Sequence, residues 1–308
     1  MVRASDVVDA VGVVNARPRR ALLAVAAGAV ILFAVVYVLA VQTKWGQRLD
    51  ATALKGRRAV RGVHAAARLL TTIDIAAIAL LGAAIVLVAL LRVRPRLAIA
   101  AGTVIAGSIV TTEVLKRIVL SRPDFGIVDA LHSTRSFPSG HTTVAMSLGV
   151  GAMLVAPSRW RALVATLGAA FASAIGAVVV ATASHRPSDP IGAALVVTAW
   201  AATVAALLMA RDDGGGREPA GVRAGPWFAF GGLVLLVVGF VGLVATAVAI
   251  HRNRLDTVDL GGAFIASTSA IVGTILVCTA ALLVVLRGVE LDRAPSIAVP
   301  QTQLDRPE

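Results

Sequence analysis

The stretch "RSFPSGHTTVAMSL", residues 135–148, joins arginine, serine, glycine and histidine directly to an apolar run. Proline and glycine interrupt regular structure, so this polar island separates two apolar segments. The run that follows is rich in residues that suit a buried helix. The junction therefore predicts a helix that begins near Pro138–Gly140 with polar groups gathered at its first turn.

Outward from this junction, the chain is mostly apolar. Its 308 residues are 57% hydrophobic and its mean hydropathy is +0.85, whereas soluble domains are about 45–50% apolar. A membrane-spanning helix needs about 20 apolar residues. Eight stretches meet or approach this length: 21–42, 72–91, 97–116, 142–157, 161–183, 190–210, 227–250 and 260–286. We predict an all-α polytopic membrane helix bundle, with a six-span core and two additional C-terminal transmembrane helices.

The domain organisation follows from two changes in composition. Residues 211–226, "RDDGGGREPAGVRAGP", are rich in glycine and charge and predict a flexible linker. It separates a membrane core at 1–210 from a two-helix hairpin at 227–290, and the proline-rich segment 291–308 predicts a disordered tail. The first apolar run is too long for a signal peptide, so we interpret it as a retained span. Cys278 is the only cysteine, which excludes an intramolecular disulfide.

The net charge of +12 does not indicate a nucleic-acid partner. The cations are spread over loops and tails without aromatic residues between them, so they form no stacking platform for bases. Arginines that flank spans are typical of contacts with anionic lipid headgroups. Lys and Arg divide almost evenly between the two sides of the membrane, but segment 43–71 predicts an amphipathic helix on the membrane surface. Discounting it favours a cytoplasmic N-terminus.

Three polar clusters lie at the ends of predicted spans. They are "EVLKRIVLSRPD" at 113–124, "RSFPSGHTT" at 135–143 and "SHRPSDP" at 184–190. Charge at membrane depth is costly, so it usually marks function or a partner. Because spans alternate in direction, the loop between spans three and four and the loop between spans five and six emerge on one face. We therefore expect the three clusters to meet in one pocket.

Two histidines in these clusters predict acid–base and nucleophilic chemistry. His141 and His185 can act near neutral pH as a general acid and a nucleophile. Asp189 follows His185 by four residues and can fix the orientation of its ring. Pro190 suits the first position of span six, which predicts Asp189 as the helix N-cap.

The remaining polar residues predict an anion site. Ser139 and Gly140 lie at a predicted helix N-terminus, where backbone amides and a close-approaching glycine suit a phosphate. Lys116 and Arg122 supply positive charge beside it. No cluster of carboxylates indicates a metal, so a covalent phosphohistidine route is favoured over metal-activated water. No cofactor is expected.

These clusters resemble the three motifs of the type 2 phosphatidic acid phosphatase superfamily, the integral-membrane lipid phosphate phosphatases. The resemblance covers about spans one to six and rests on "PSGH" at 138–141 and "HRPSD" at 185–189. It implies that His185 attacks phosphorus, that Asp189 orients it, and that His141 protonates the leaving group. It also implies phosphate contacts from four further residues, namely Lys116, Arg122, Ser139 and Gly140. The family's enzymes act on lipid phosphates and generally place their pocket at the outer membrane face, which agrees with the orientation that the loop charges favour.

The sequence departs from the family pattern at two places. Five residues rather than six separate Lys116 from Arg122. On a continuous helix this step places Arg122 about 120° around the axis from Lys116. The third motif normally carries a Ser-Arg pair upstream, where this chain has Val178 and Val179. Removal of one transition-state donor typically costs about 10²–10³ in rate. We hypothesise that Arg186, or else Arg135, supplies the missing charge.

The leading interpretation is a metal-independent, integral-membrane phosphatase of lipid phosphates or pyrophosphates. The first alternative is a non-catalytic family member that binds phospholipid or polyprenyl phosphate, which the loss of the third-motif arginine would explain. The second is a transporter of lipid or anion, although the polar clusters lie at span ends rather than at mid-membrane. A phosphotransferase would use the same residues. The sequence does not distinguish among lipid phosphates.

Overall fold

The structure is a computed structural model that describes residues 4–59, 75–92, 94–127, 135–209, 224–252 and 255–286. These residues form a helical bundle, which confirms the predicted all-α polytopic fold. The helices run in chain order as α1 Ala4–Val36, α2 Lys44–Gly56, α3 Ile75–Leu91, α4 Pro95–Val114, α5 Gly140–Val155, α6 Ser158–Ala181, α7 Ser188–Met209, α8 Ala224–His251 and α9 Thr257–Val285. Short π-helical turns extend α1 over Tyr37–Val41 and α4 over Leu115–Val119.

Within the part of the chain that the structure describes, each of the eight predicted spans coincides with a helix. Within the described ranges, six helices are long and apolar enough to cross a membrane. Two shorter apolar segments accompany them, Gly82–Leu91 within α3 and Gly140–Val155, which is α5. The six long helices make this an integral membrane protein. The shorter α5 begins at the polar junction that carries Ser139 and His141.

Helix α7 is the central helix of the bundle. It packs against α1, α4, α5 and α9 and buries most of its length. Its contact with α4 is specific, because the Trp200 indole lies 3.0 Å from the position of a Cβ on Gly107 and donates a hydrogen bond to Thr111 Oγ1 at 3.0 Å. This central position fixes the first turn of α7, where Asp189 lies.

Small residues allow the neighbouring helices α5 and α6 to approach closely. A Cβ on Gly149 would lie 2.8 Å from the Cα atom of Gly168, and the reverse distance is 2.7 Å. Backbone contact of this kind is the usual role of glycine between membrane helices, where van der Waals packing replaces the hydrophobic effect. The crossing sets the distance between α5, which carries the second motif, and α6, which leads into the third.

The segment predicted as a surface amphipathic helix is α2 over part of its length. The side chain of Thr43 caps it by accepting a hydrogen bond from Gly46 N at 3.0 Å. One face of α2 is buried, including Gln47, Asp50 and Leu54, and it packs against α9 and the π-helical turn after α1. Its buried face lies against protein, and residues 60–71 of the predicted segment lie outside the described residues.

The two C-terminal helices, α8 and α9, pack against each other as a hairpin. Asp256 caps α9 through a reciprocal pair of bonds with Asp259. Helix α9 packs against α2, α6 and α7 as well as α8, so the hairpin is part of the same bundle. Helix α8 begins at Ala224, inside the last residues of the predicted linker; residues 211–223 of that linker and the predicted tail at 291–308 lie outside the described residues.

Candidate active site

The first turn of α5 forms one wall of the site. Ser139 caps the helix: its Oγ accepts hydrogen bonds from Thr142 N at 3.4 Å and Thr142 Oγ1 at 3.2 Å. Ser139 is fully buried, and Gly140 is the first helical residue. The helix therefore begins at the junction that the sequence predicts, with Ser139 as its N-cap.

A tight turn after α6 positions His185. Ala183 adopts a left-handed backbone conformation with φ of 55°, a role that glycine usually fills at a helix end. The amides of Ser184 and His185 then donate to Val179 O at 2.9 and 3.0 Å. An alanine in this region costs about 1–2 kcal/mol, and non-glycine residues held this way are frequent at functional sites.

His185 and Asp189 form a buried pair. The distance between His185 Nδ1 and Asp189 Oδ2 is 3.1 Å, and the same oxygen accepts Arg186 N at 2.9 Å. Asp189 is fully buried. The prediction that Asp189 is the N-cap of span six is wrong, because α7 begins at Ser188 and places Asp189 in its first turn.

The structure brings the second and third clusters together. The rings of His141 and His185 lie with centroids 6.0 Å apart, at 74° to one another. A backbone bond from Ser139 N to Asp189 O, 3.0 Å long, joins the start of α5 to the start of α7. His141 is exposed whereas His185 is buried. The two imidazoles therefore lie next to each other, and His141 is the more exposed of the two.

The first cluster contributes a cation beside Gly140. A Cβ on Gly140 would lie 3.3 Å from Lys116 Nζ, so a side chain at this position would crowd the ammonium group. Glu113 contacts Lys116 at 3.1 Å and Arg117 at 2.7 Å, the i+3 and i+4 pairs expected on one helix face.

Arg122 is buried inside the protein. Its side chain is 5% exposed, and Nη2 is 3.8 Å from Asp50 Oδ2 and 3.7 Å from Asp189 Oδ1. The loop that carries Arg122 is anchored by Tyr37, whose hydroxyl donates to Ser121 O at 2.9 Å. The guanidinium therefore faces the two carboxylates.

The third-motif arginine position holds Val179, which is fully buried. Arg186 is 6% exposed and its Nη1 donates to Ser136 Oγ at 2.9 Å, which joins the second and third clusters. Arg135 is exposed and donates through Nη1 to Arg117 O at 3.2 Å. Of the two, Arg186 is the one buried between the clusters that carry the histidines.

Sequence reasoning missed Asp50, which lies on α2 and is 6% exposed. It accepts hydrogen bonds from Ser188 Oγ at 2.6 Å and Ser188 N at 3.2 Å. Burial raises the pKa of Asp50 to about 6, against the opposing effect of Arg122. A signal was present, because Asp50 is the one acidic residue in the basic segment 44–68 and shares a helix face with Leu54.

No curated protein and no solved structure was found to match the chain. A family model does match: residues 97–213 correspond to the PAP2 superfamily. The matched range begins in α4, ends just after α7, and contains all three polar clusters. This match supports a phosphatase-type fold for residues 97–213. Residues 97–213 of this membrane protein are therefore similar to the PAP2 superfamily, whose model they match.

Proposed function

We propose that the protein is an integral-membrane phosphatase of lipid phosphates or pyrophosphates that works through a phosphohistidine intermediate on His185. The observation that carries this proposal is the pair of imidazoles 6.0 Å apart, one of them bonded through Nδ1 to the buried Asp189. A histidine oriented by a carboxylate through one nitrogen presents the other to an electrophile.

The reaction has two balanced steps. The lone pair of His185 Nε2 forms a bond to phosphorus while the bond between phosphorus and the ester oxygen breaks, and that oxygen takes a proton from His141. Water then attacks the phosphohistidine and gives a proton to the neutral His141. The phosphorus–nitrogen bond breaks, which returns His185 and releases inorganic phosphate. Asp189 stabilises the positive imidazole ring of the intermediate.

The phosphate oxygens require positive charge around them. Lys116 lies beside Gly140 at the first turn of α5, where helix amides add their own positive potential. We assign Ser139 to shaping this turn through its cap. Arg186, buried between the second and third clusters, is our assignment for the charge that Val179 cannot supply.

The setting supports a substrate with a lipid tail. The three clusters lie at the ends of apolar helices, so a phosphate headgroup at the interface and a tail among the helices satisfy both parts of an amphiphile. We assign the pocket to the outer face of the plasma membrane, in line with the cytoplasmic N-terminus that the loop charges favour.

The direct test is phosphate release by the purified protein in lipid nanodiscs, from phosphatidic acid, phosphatidylglycerol phosphate and polyprenyl phosphates and pyrophosphates. We expect release from at least one of them, and His185→Ala should lower it by at least about 10³-fold because the nucleophile is gone. Asp189→Asn should lower it by up to about 10⁴-fold. His251→Ala is the matched control, since His251 is an exposed histidine at the end of α8.

The same experiment tests a second candidate function, a non-catalytic protein that binds a lipid phosphate. The absence of the third-motif arginine, replaced by Val179, favours this alternative. Saturable binding of a lipid phosphate by wild-type protein, with no release of phosphate and no effect of His185→Ala, would identify a binding protein and contradict the phosphatase proposal.

A further inference from the structure

Helix α2 brings a second carboxyl group close to Asp189. Asp50 belongs to none of the three clusters, and the PAP2 match begins after it, at residue 97. Its side chain is 8% exposed, and both of its oxygens accept hydrogen bonds from Ser188, one from the amide and one from the hydroxyl. Ser188 is the residue before Asp189, so Asp50 is bonded to the turn that carries the orienting carboxylate.

Arg122 links the two carboxylates. Its Nη2 is 3.8 Å from Asp50 Oδ2 and 3.7 Å from Asp189 Oδ1, and all three side chains are almost completely buried. Two carboxylates around one guanidinium leave one net negative charge. That charge balances the positive imidazole that His185 becomes when it is phosphorylated. Without Asp50, the full attraction of Arg122 would act on Asp189 and oppose its bond to His185.

The position of Asp50 is fixed by the rest of the fold. Gln47, one turn earlier on α2, donates through Nε2 to Pro123 O at 2.9 Å and Val41 O at 2.8 Å, which joins α2 to the loop of Arg122. At the other end of α2, a Cβ on Gly56 would overlap Leu260 O of α9. The C-terminal hairpin therefore supports the helix that presents Asp50.

We infer that Asp50 is a positioning residue, which acts through Ser188 and Arg122 to keep the Asp189 carboxylate directed at His185. The inference rests on the proposed function for its effect on turnover. It also gives the C-terminal hairpin a role, because α9 packs against α2 and holds it beside the site.

The test replaces Asp50 with asparagine, which keeps the shape and removes the charge. We expect Asp50→Asn to lower kcat by roughly 10- to 100-fold while KM changes by less than about threefold, since the phosphate-binding groups are untouched. Thr52→Val is the matched control. Thr52 is buried on the same helix, and its hydroxyl donates a hydrogen bond to Arg48 O of that helix. This substitution should leave kcat and the melting temperature unchanged.

A spectroscopic signature tests the inference independently of turnover. The proton on His185 Nδ1, bonded to a carboxylate, should give a downfield NMR resonance that is absent in His185→Ala. Asp50→Asn should move this resonance upfield, because Arg122 then competes for Asp189. Ser188→Ala, which removes one donor to Asp50 and keeps its charge, should move it less in the same direction.

The outcomes separate the two proposals. Loss of phosphate release in His185→Ala, together with full activity and an unmoved resonance in Asp50→Asn, would overturn the positioning role alone. An upfield shift in Asp50→Asn with no phosphate release by wild-type protein would support the positioning role and contradict the phosphatase. The positioning role would also be overturned if Thr52→Val changed the resonance and kcat as much as Asp50→Asn does, since any disturbance of α2 would then have the same effect.

Discussion

At the scale of single residues, the chemistry depends on which side chains are buried. His185 is 8% exposed and Asp189 is fully buried, whereas His141 is exposed, as suits a group that exchanges protons with water. The sequence predicts this pair through its spacing, because His185 and Asp189 lie four residues apart. It does not predict that Arg122 faces two carboxylates, since the second, Asp50, comes from a distant helix.

The buried Asp50 makes the stability of the protein depend on pH. Burial raises its pKa from 3.8 to about 6, while Arg122 lowers it, Asp189 raises it and hydrogen bonds from Ser188 lower it. A folded pKa above the unfolded value means that the folded state binds the proton more tightly. The resulting stabilisation is full below about pH 4 and is lost as the pH rises through about 6.

We therefore expect wild-type protein to lose stability relative to Asp50→Asn between pH 4 and pH 7, on the order of 1–3 kcal/mol. Thermal unfolding of both proteins in one detergent over this range measures the difference. Parallel curves for the two proteins would mean that Asp50 titrates at its ordinary pKa.

At the scale of helices, the sequence predicts existence and approximate position well. Over their described residues, all eight apolar stretches are helices, because each is apolar, uninterrupted and bounded by charge or proline. The start of α7 was missed by two residues, because Pro190 is tolerated after the first helical position and Ser188 begins the helix. The turn at Ala183 was not predictable, since no glycine marks its left-handed conformation.

The crossing of α5 and α6 predicts the effect of one added methyl group. A Cβ at Gly149 would lie 2.8 Å from Gly168 Cα, so Gly149→Ala must separate the two helices. We expect a loss of about 1–3 kcal/mol in the free energy of unfolding, seen as a lower melting temperature, and a loss of activity because these helices carry His141 and the turn before His185.

The control for this substitution is Gly28→Ala on α1, where nothing lies within 4 Å of the added Cβ. It should leave stability unchanged or raise it by up to about 1 kcal/mol through helix propensity. Equal melting temperatures for the two variants would show that the α5–α6 contact is not as close as the structure has it.

At the scale of the whole molecule, the site is assembled from distant parts of the chain. Helix topology places the loop before α5 and the turn before α7 on one side, which the alternation of spans predicts. The contribution of α2 was not predictable, because pairing Asp50 with Ser188 spans 138 residues and depends on α9 packing against α2. Hydrophobic periodicity carries no information about such long-range polar contacts.

The central claim is that His185 becomes phosphorylated, and rapid quenching tests it most directly. Wild-type protein is mixed for milliseconds with a lipid phosphate labelled in its phosphoryl group, quenched in base and digested. We predict a base-stable, acid-labile label on the peptide that contains His185, formed at least as fast as turnover and absent in His185→Ala. Turnover without this label, or a label on another residue, would contradict the mechanism.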